Sequence, residues 1–274
     1  MVTRNTLPLA ELPPATHKIA LRRHCRNGEA SAGSAMNNSI QTIPLANLAL
    51  AFIPVAIVIL IIGRWSLHWR SSLYAVIRML TQLLLIGYLL IFIFASDSAL
   101  FIMAILVFMM LTSSWIALAT VRHLRPRLYW KSLVSVVVGG GATLLLITQG
   151  VIVLEPWFLP RYMIPLAGMI FATALNSVSL AAERFYAEIS RDLAYEEARR
   201  TAFRASLIPI SNSFLAVGLV SLPGMMTGQI LSGISPLIAA RYQIMVMCML
   251  FGAAGISSAC FLLLLRAGAG KQQA

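Results

Sequence analysis

The chain has 274 residues, of which 59% are hydrophobic and 11% charged, with a net charge of +12 and a mean hydropathy of +0.84. Soluble domains carry about a quarter charged residues, so this composition excludes an ordinary soluble enzyme and points to an integral membrane protein. Its apolar runs are continuous rather than alternating, which selects an all-α, polytopic chain over a barrel.

In chain order, residues 1–35 contain Arg4, Lys18, Arg22, Arg23 and Arg26, with Pro8, Pro13 and Pro14 and no apolar core. With no h-region the stretch is not a secretory signal and reads as a disordered or non-native extension. Translation is expected to start at or near Met36, which opens an uncharged lead, Met36-Asn37-Asn38-Ser39-Ile40, into a membrane domain at 36–266. A short tail follows at 267–274.

Seven spans are predicted at 45–63, 73–95, 99–120, 133–154, 163–182, 210–231 and 243–265. Each is about 20 residues, the length that crosses a hydrocarbon core of about 30 Å. Span two holds Arg78, read as snorkelling from its inner end, with Gln82 one turn on. In span four, Gly139-Gly140-Gly141 suits close helix approach.

Basic residues alternate between the loops. Arg64 and Arg70 follow span one; Arg122, Arg125, Arg127 and Lys131 follow span three. Arg184, Arg191, Arg199, Arg200 and Arg204 follow span five, and Arg266 and Lys271 follow span seven. The intervening loops carry only Arg161 and Arg241. Because Lys and Arg are retained in the cytosol, the expected topology is N-terminus out and C-terminus in. The charge is then topology, and nucleic acid is not an expected partner.

The segment 183–207 is expected to form a cytosolic helix. Phe185, Ile189 and Leu193 recur at i+4 as an apolar stripe. Glu196–Arg200, Glu188–Arg191 and Glu197–Arg200 are spaced for ion pairs. Five acidic and five basic residues cancel between Glu183 and Arg204, so the helix suits docking on a cytosolic partner or is a solvated extension of spans five and six.

Span six carries a polar break, Val217-Gly218-Leu219-Val220-Ser221-Leu222-Pro223-Gly224-Met225-Met226-Thr227-Gly228-Gln229. Proline removes a donor and glycine loosens the helix, so such a break needs a cavity or neighbouring helices to satisfy its backbone. Interrupted spans of this kind often mark a translocation path. The plain alternative is a kinked packing helix, since Gly224 and Gly228 form a GxxxG pair. Asn176, Ser177, Ser179, Ser221, Thr227 and Gln229 are the oxygen-bearing side chains available within the spans. Met225 and Met226, with Met245 and Met249, could offer thioethers to a soft metal but are also ordinary packing residues.

Several chemistries are missing. Cys25, Cys248 and Cys260 have no metal or redox spacing, and His17, His24, His68 and His123 lie in the tail or basic loops. No acid lies deep in a span, span seven has no lysine for a retinal Schiff base, and there is no P-loop pattern. No metal site or cofactor is expected on this chain, and it is not read as an enzyme.

Four blocks carry a resemblance: Met163-Ile164-Pro165-Leu166-Ala167-Gly168-Met169-Ile170, Ala205-Ser206-Leu207-Ile208-Pro209, Val217 through Gly228, and Arg241-Tyr242-Gln243-Ile244-Met245-Val246-Met247. They resemble the FetB-type permeases of ATP-binding-cassette transporters, a family named for iron export that includes plant aluminium-sensitivity proteins. The likeness covers about residues 40–265 and is strongest over 163–251.

It implies a permease subunit in a bacterial inner membrane, paired as a homodimer and driven by a separate cytosolic ATPase that binds ATP and Mg. The loop would be the coupling helix, with Glu196, Glu197, Ala198, Arg200 and Arg204 as ATPase-coupling residues. The gate or translocation path would take Asn176, Ser221, Pro223, Gly224, Met225, Met226, Thr227, Gly228 and Gln229. The chain departs from the family at that loop, which lacks the usual leucine-glycine-alanine stretch and is about a dozen residues shorter. A non-transporting membrane sensor or scaffold is the other functional class these features allow.

Overall fold

The computed structural model describes residues 44–65, 69–96 and 98–269. The expected N-terminal extension, the start at Met36 and the last residues of the tail lie outside the described residues.

Helices α1 (Leu45–Leu50) and α2 (Phe52–Arg64) form one apolar run, followed by α3 (Trp69–Phe94) and α4 (Ala99–Ala117). Ser98 caps α4, its hydroxyl accepting from the Phe101 N–H at 3.4 Å. A 3₁₀ turn at Arg122–Leu124 leads into α5 (Arg125–Val136), with Pro126 in its first turn, where no intrahelical donor is lost. The same rod continues through a π-helical stretch at Val137–Gly141, α6 (Ala142–Leu145) and a second π-helical stretch at Leu146–Val151. Then come α7 (Pro160–Ile189), α8 (Tyr195–Ala216), α9 (Gly224–Leu231) and α10 (Pro236–Ala269).

The protein is thus all-helical and polytopic. Among the described residues six helices are long and apolar enough to cross a membrane: Ala46–Arg64, Trp69–Phe94, Ala99–Ala117, Arg122–Val151, Pro160–Ile189 and Pro236–Arg266. The predicted sixth span, 210–231, is not one continuous helix. Its first third completes α8, its middle is the break, and its last third is α9. Hydropathy places the span too late because α8 carries its charges, Glu196 to Arg204, in its own first three turns. The helix starts at those charges, and its 22 residues rise about 33 Å before the break.

Two apolar clusters are stacked along the bundle. One joins α4, α5, α7, α8 and α10 through Leu118, Leu128, Val178, Phe185, Ala198, Ala202, Phe261 and Leu262. The other joins α3, α4, α6, α7 and α10 through Ile93, Ile102, Leu144, Met163, Phe171 and Met249. α2 buries nothing and α3 only Ile93, so both stand at the periphery with apolar faces outward.

Gly139 explains the tightest crossing. A Cβ there would stand 2.5 Å from the Ser257 backbone nitrogen and 2.8 Å from its Cα, so only glycine lets α10 pass. A Cβ on Gly140 would meet the Phe171 ring at 3.0 Å, while Gly141 faces open space. The close approach expected of this triplet belongs to its first two members.

Candidate functional site: a docked hairpin and the cavity at the far end of its helix

At one end of the bundle the basic segments converge. The Tyr195 hydroxyl, at the start of α8, donates to the Leu262 carbonyl of α10 at 2.7 Å. After α4, Arg125 Nε donates to the Leu118 carbonyl at 3.2 Å, and its guanidinium lies over the Trp115 ring. The link after α4, the α7–α8 connection and the end of α10 therefore share one face.

The expected single helix over 183–207 is instead a helical hairpin. α7 runs on to Ile189, the chain reverses over Ser190–Ala194, and α8 begins at Tyr195. The turn needs a left-handed residue, supplied by Asp192 at φ 62, a residue type that tolerates this region. Leu193 therefore falls in the turn and does not extend the stripe begun by Phe185 and Ile189. Phe185 is buried and meets Tyr195 edge-on, with ring centroids 5.7 Å apart. Glu188 is only 4% exposed and is held by Arg184 and, at 3.9 Å, by Arg191.

The sequence-spaced pairs at Arg200 do not form. Glu196 bonds Arg199 at 2.6 Å and faces Arg266 of α10 at 3.6 Å. A partner arriving from another helix decides which arginine it takes, and local spacing cannot foresee that. Both Glu196 and Glu197 lie in the first turn of α8, where carboxylates suit the positive end of the helix dipole. Burial pushes the Tyr195 phenol above its ordinary range, opposed in part by the nearby Arg199 cation. Of the coupling residues expected, Ala198 is fully buried in the hairpin core, whereas Glu196, Glu197, Arg200 and Arg204 are exposed.

At the other end of α8 the break is a closed turn. The Ala216 carbonyl accepts the N–H groups of Val220 at 2.8 Å, Ser221 at 3.1 Å and Leu219 at 3.3 Å, while the Gly218 N–H returns to the Ser221 carbonyl at 3.0 Å. Gly218 has φ 82, the left-handed region open to glycine. Pro223 precedes the first residue of α9, a place where its missing N–H costs nothing. The N–H groups from Val217 to Ser221 are thus all taken up within the turn or by the last turn of α8.

Beneath the turn lies a cavity of about 520 Å³ between α7, α8, α9 and α10. Of the residues read as gate or path, Ser221, Pro223, Gly224 and Met225 line it. Met226 faces an adjoining cavity of about 330 Å³ instead. The Thr227 hydroxyl turns back to the Pro223 carbonyl at 3.2 Å, and Gly228 faces open space. Gln229 keeps Oε1 buried without a partner. Asn176 is exposed on α7 and lines neither cavity, so the geometry separates it from the rest. Ser177 serves packing, donating to the Ser206 carbonyl at 3.1 Å where α7 crosses α8. Met249 is 2% exposed within the core, and Met245 packs against it.

Other wall residues were not foreseen: Met169, Asn212, Ser213, Met247 and above all Gln243. Gln243 is 6% exposed, borders both cavities, and its Oε1 has no hydrogen-bond partner. A buried acceptor left unpaired costs about 1–3 kcal/mol, so its place between two cavities makes Gln243 a candidate contact for a ligand. The signal available in sequence was a glutamine at the edge of the predicted seventh span, beside Arg241 and Tyr242. No charged side chain lines either cavity. Among the described residues no group of three or more His, Cys, Asp or Glu could hold a metal, and Cys248 and Cys260 are free thiols.

Comparison with known proteins bears on this arrangement. The profile of the family described as Uncharacterised protein family (UPF0014) matches residues 45–268. The chain belongs to this family. The UPF0014 chain is 35% identical over 235 residues to the Escherichia coli (strain K12) protein named "Probable iron export permease protein FetB", covering 79% of this chain and 89% of that one. It is 36% identical over 190 residues to "UPF0014 membrane protein slr1647" of Synechocystis, covering 62% and 71%. With "Protein ALUMINUM SENSITIVE 3" of Arabidopsis thaliana it shares 34% over 204 residues, covering 69% and 73%. No solved structure matches the chain. It is therefore a polytopic, permease-like membrane protein of the UPF0014 family.

Proposed function

We propose that this chain is the membrane-spanning subunit of an ATP-binding-cassette transporter, exporting a metal such as iron or a related solute. It works as a homodimer in a bacterial inner membrane, with ATP and Mg bound by a separate cytosolic ATPase. The carrying observation is mechanical: α8 runs unbroken from the charged hairpin to the turn that roofs the cavity. A push delivered at Glu197, Arg200 and Arg204 is transmitted along one helix, past Pro209, to Ser221, Pro223 and Gly224. Names among the relatives, iron export permease in particular, support the same reading.

The topology follows by placing the basic end in the cytosol, with α8 as a sixth crossing among seven, N-terminus out and C-terminus in. The neutral cavity walls favour a cargo whose charge is already neutralised, because a bare trivalent ion is costly to desolvate without carboxylates. The test is purification of the tagged chain from its native membrane, followed by vesicle transport. An ATPase that co-purifies and drives ATP-dependent iron efflux is the expected result. A chain that isolates alone and moves nothing with ATP present fits a sensor or scaffold and sinks this reading.

A further inference from the structure

A groove of about 300 Å³ lies between α8 and α10 at the basic end, walled by Arg199, Arg200 and Phe203 on one side and Ala259, Leu262 and Leu263 on the other. The register of its two walls is fixed by two ties between the helices, Tyr195 to Leu262 at 2.7 Å and Glu196 to Arg266 at 3.6 Å. The two arginines therefore stand level with the last apolar turns of a membrane span, just below the point where Arg266 ends its apolar run.

The charge there is not balanced. Glu196 is shared between Arg199 and Arg266, which leaves one acid against two cations. Arg200 makes no ion pair among the described residues, and neither does Glu197. The groove thus has a cationic mouth above an apolar floor, with Leu263 55% exposed along it. A soluble anion would leave that floor wetted, and an uncharged lipid tail would leave Arg200 unanswered. One molecule satisfies both halves.

We propose that this groove binds an anionic phospholipid, its phosphodiester held by Arg199 and Arg200 and one acyl chain laid along Phe203 and Leu263. Guanidinium groups hold phosphate oxygens with two parallel hydrogen bonds, and a neighbouring acyl chain buries apolar surface that the headgroup alone cannot. Since α8 and α10 supply opposite walls, the lipid clamps the hairpin to the last span. The site shares only Arg200 with the proposed coupling surface, and its test reads lipid retention with no ATPase present.

The test is native mass spectrometry of the full chain released from nanodiscs holding equal phosphatidylglycerol and phosphatidylcholine with matched acyl chains. The wild-type chain should retain phosphatidylglycerol preferentially. The double variant Arg199→Gln, Arg200→Gln should lower that retention about fivefold per arginine, as expected for cations at a membrane surface. Arg241→Gln, an exposed cation at the opposite end of α10, should leave it unchanged. Leu263→Trp keeps both arginines and blocks the floor, so it should also release the lipid, and it reads the site even where the double variant fails to insert. Equal retention of phosphatidylcholine overturns the proposal. So does an equal effect of Arg241→Gln, full retention by Leu263→Trp, or displacement by soluble glycerophosphoglycerol.

Discussion

The Tyr195 hydroxyl donates to the Leu262 carbonyl at 2.7 Å, tying the first residue of α8 to the last turns of α10 across 67 positions of sequence. That carbonyl lies four residues before Arg266, whose guanidinium reaches the next residue of the hairpin, Glu196. Two adjacent hairpin residues thus hold one helix end, so the hairpin moves with α10 or breaks from it.

Replacing Tyr195 by Phe removes the hydrogen bond and keeps the ring that Phe185 meets. The expected loss is about 0.5–1.5 kcal/mol of stability, read as a lower melting temperature in detergent. The phenol is held above its ordinary value of 10.0, so its proton is bound more tightly in the folded chain. The stabilising difference from the Phe variant is then constant below pH 10 and declines only as pH rises through the folded value. A difference that already shrinks between pH 6 and 8 contradicts the assignment.

Gly139→Ala places a methyl group against the backbone of Ser257, and a backbone cannot step aside as a side chain can. Overpacking of this kind costs about 1–3 kcal/mol and should reduce the amount of folded protein recovered from membranes. Gly141→Ala, two residues away and facing open space, should be tolerated. Equal yields for the two variants would mean that the α10 crossing is looser than described.

Gln243→Leu exchanges an unpaired buried amide for an apolar group of similar size. Stability should hold or rise, because no hydrogen bond is lost within the chain. Transport should fall by roughly tenfold, the worth of one good buried hydrogen bond to cargo. Joint loss of stability and transport would make Gln243 a packing residue instead.

Glu197→Arg reverses an exposed charge at the start of α8. The helix dipole term limits the cost to about 0.3–1 kcal/mol, so the protein should still insert. On the proposed coupling, a complex of the variant with the co-purifying ATPase should hydrolyse ATP while moving little cargo. Wild-type transport per ATP would remove Glu197 from the contact.

The membrane helices were legible because burial in lipid demands long apolar runs, and the break was legible because glycine and proline, both costly in a helix, cluster at Gly218, Pro223 and Gly224. The boundaries of α8 were not. A helix that begins in water carries charge on its first turns, and hydropathy cannot separate those turns from a loop. Asp192 gave no glycine or proline signal, so the reversal at Ser190–Ala194 was hidden. Of the site, Ser221, Pro223, Gly224 and Met225 were readable because they belong to the break itself. Gln243 was hidden at the predicted edge of a span, where a glutamine looks interfacial.

The rod running from Arg125 to Val151 contains two π-helical stretches, Val137–Gly141 and Leu146–Val151. A π turn takes up residues without advancing the α-helical phase, and each residue of an α-helix is worth about 100° of rotation. The two stretches therefore act as phase slips. They let Gly139 and Thr143 stay beside α10, within reach of Ser257 and Gly252, while Thr148 stays buried a turn beyond. Removing one residue from either stretch would return that turn to α-helix and leave the outer part of the rod facing as before, whereas removing one from α6 between them would turn it by about 100°. The rod thus tolerates a change of length at its π stretches and nowhere else along its α-helical turns.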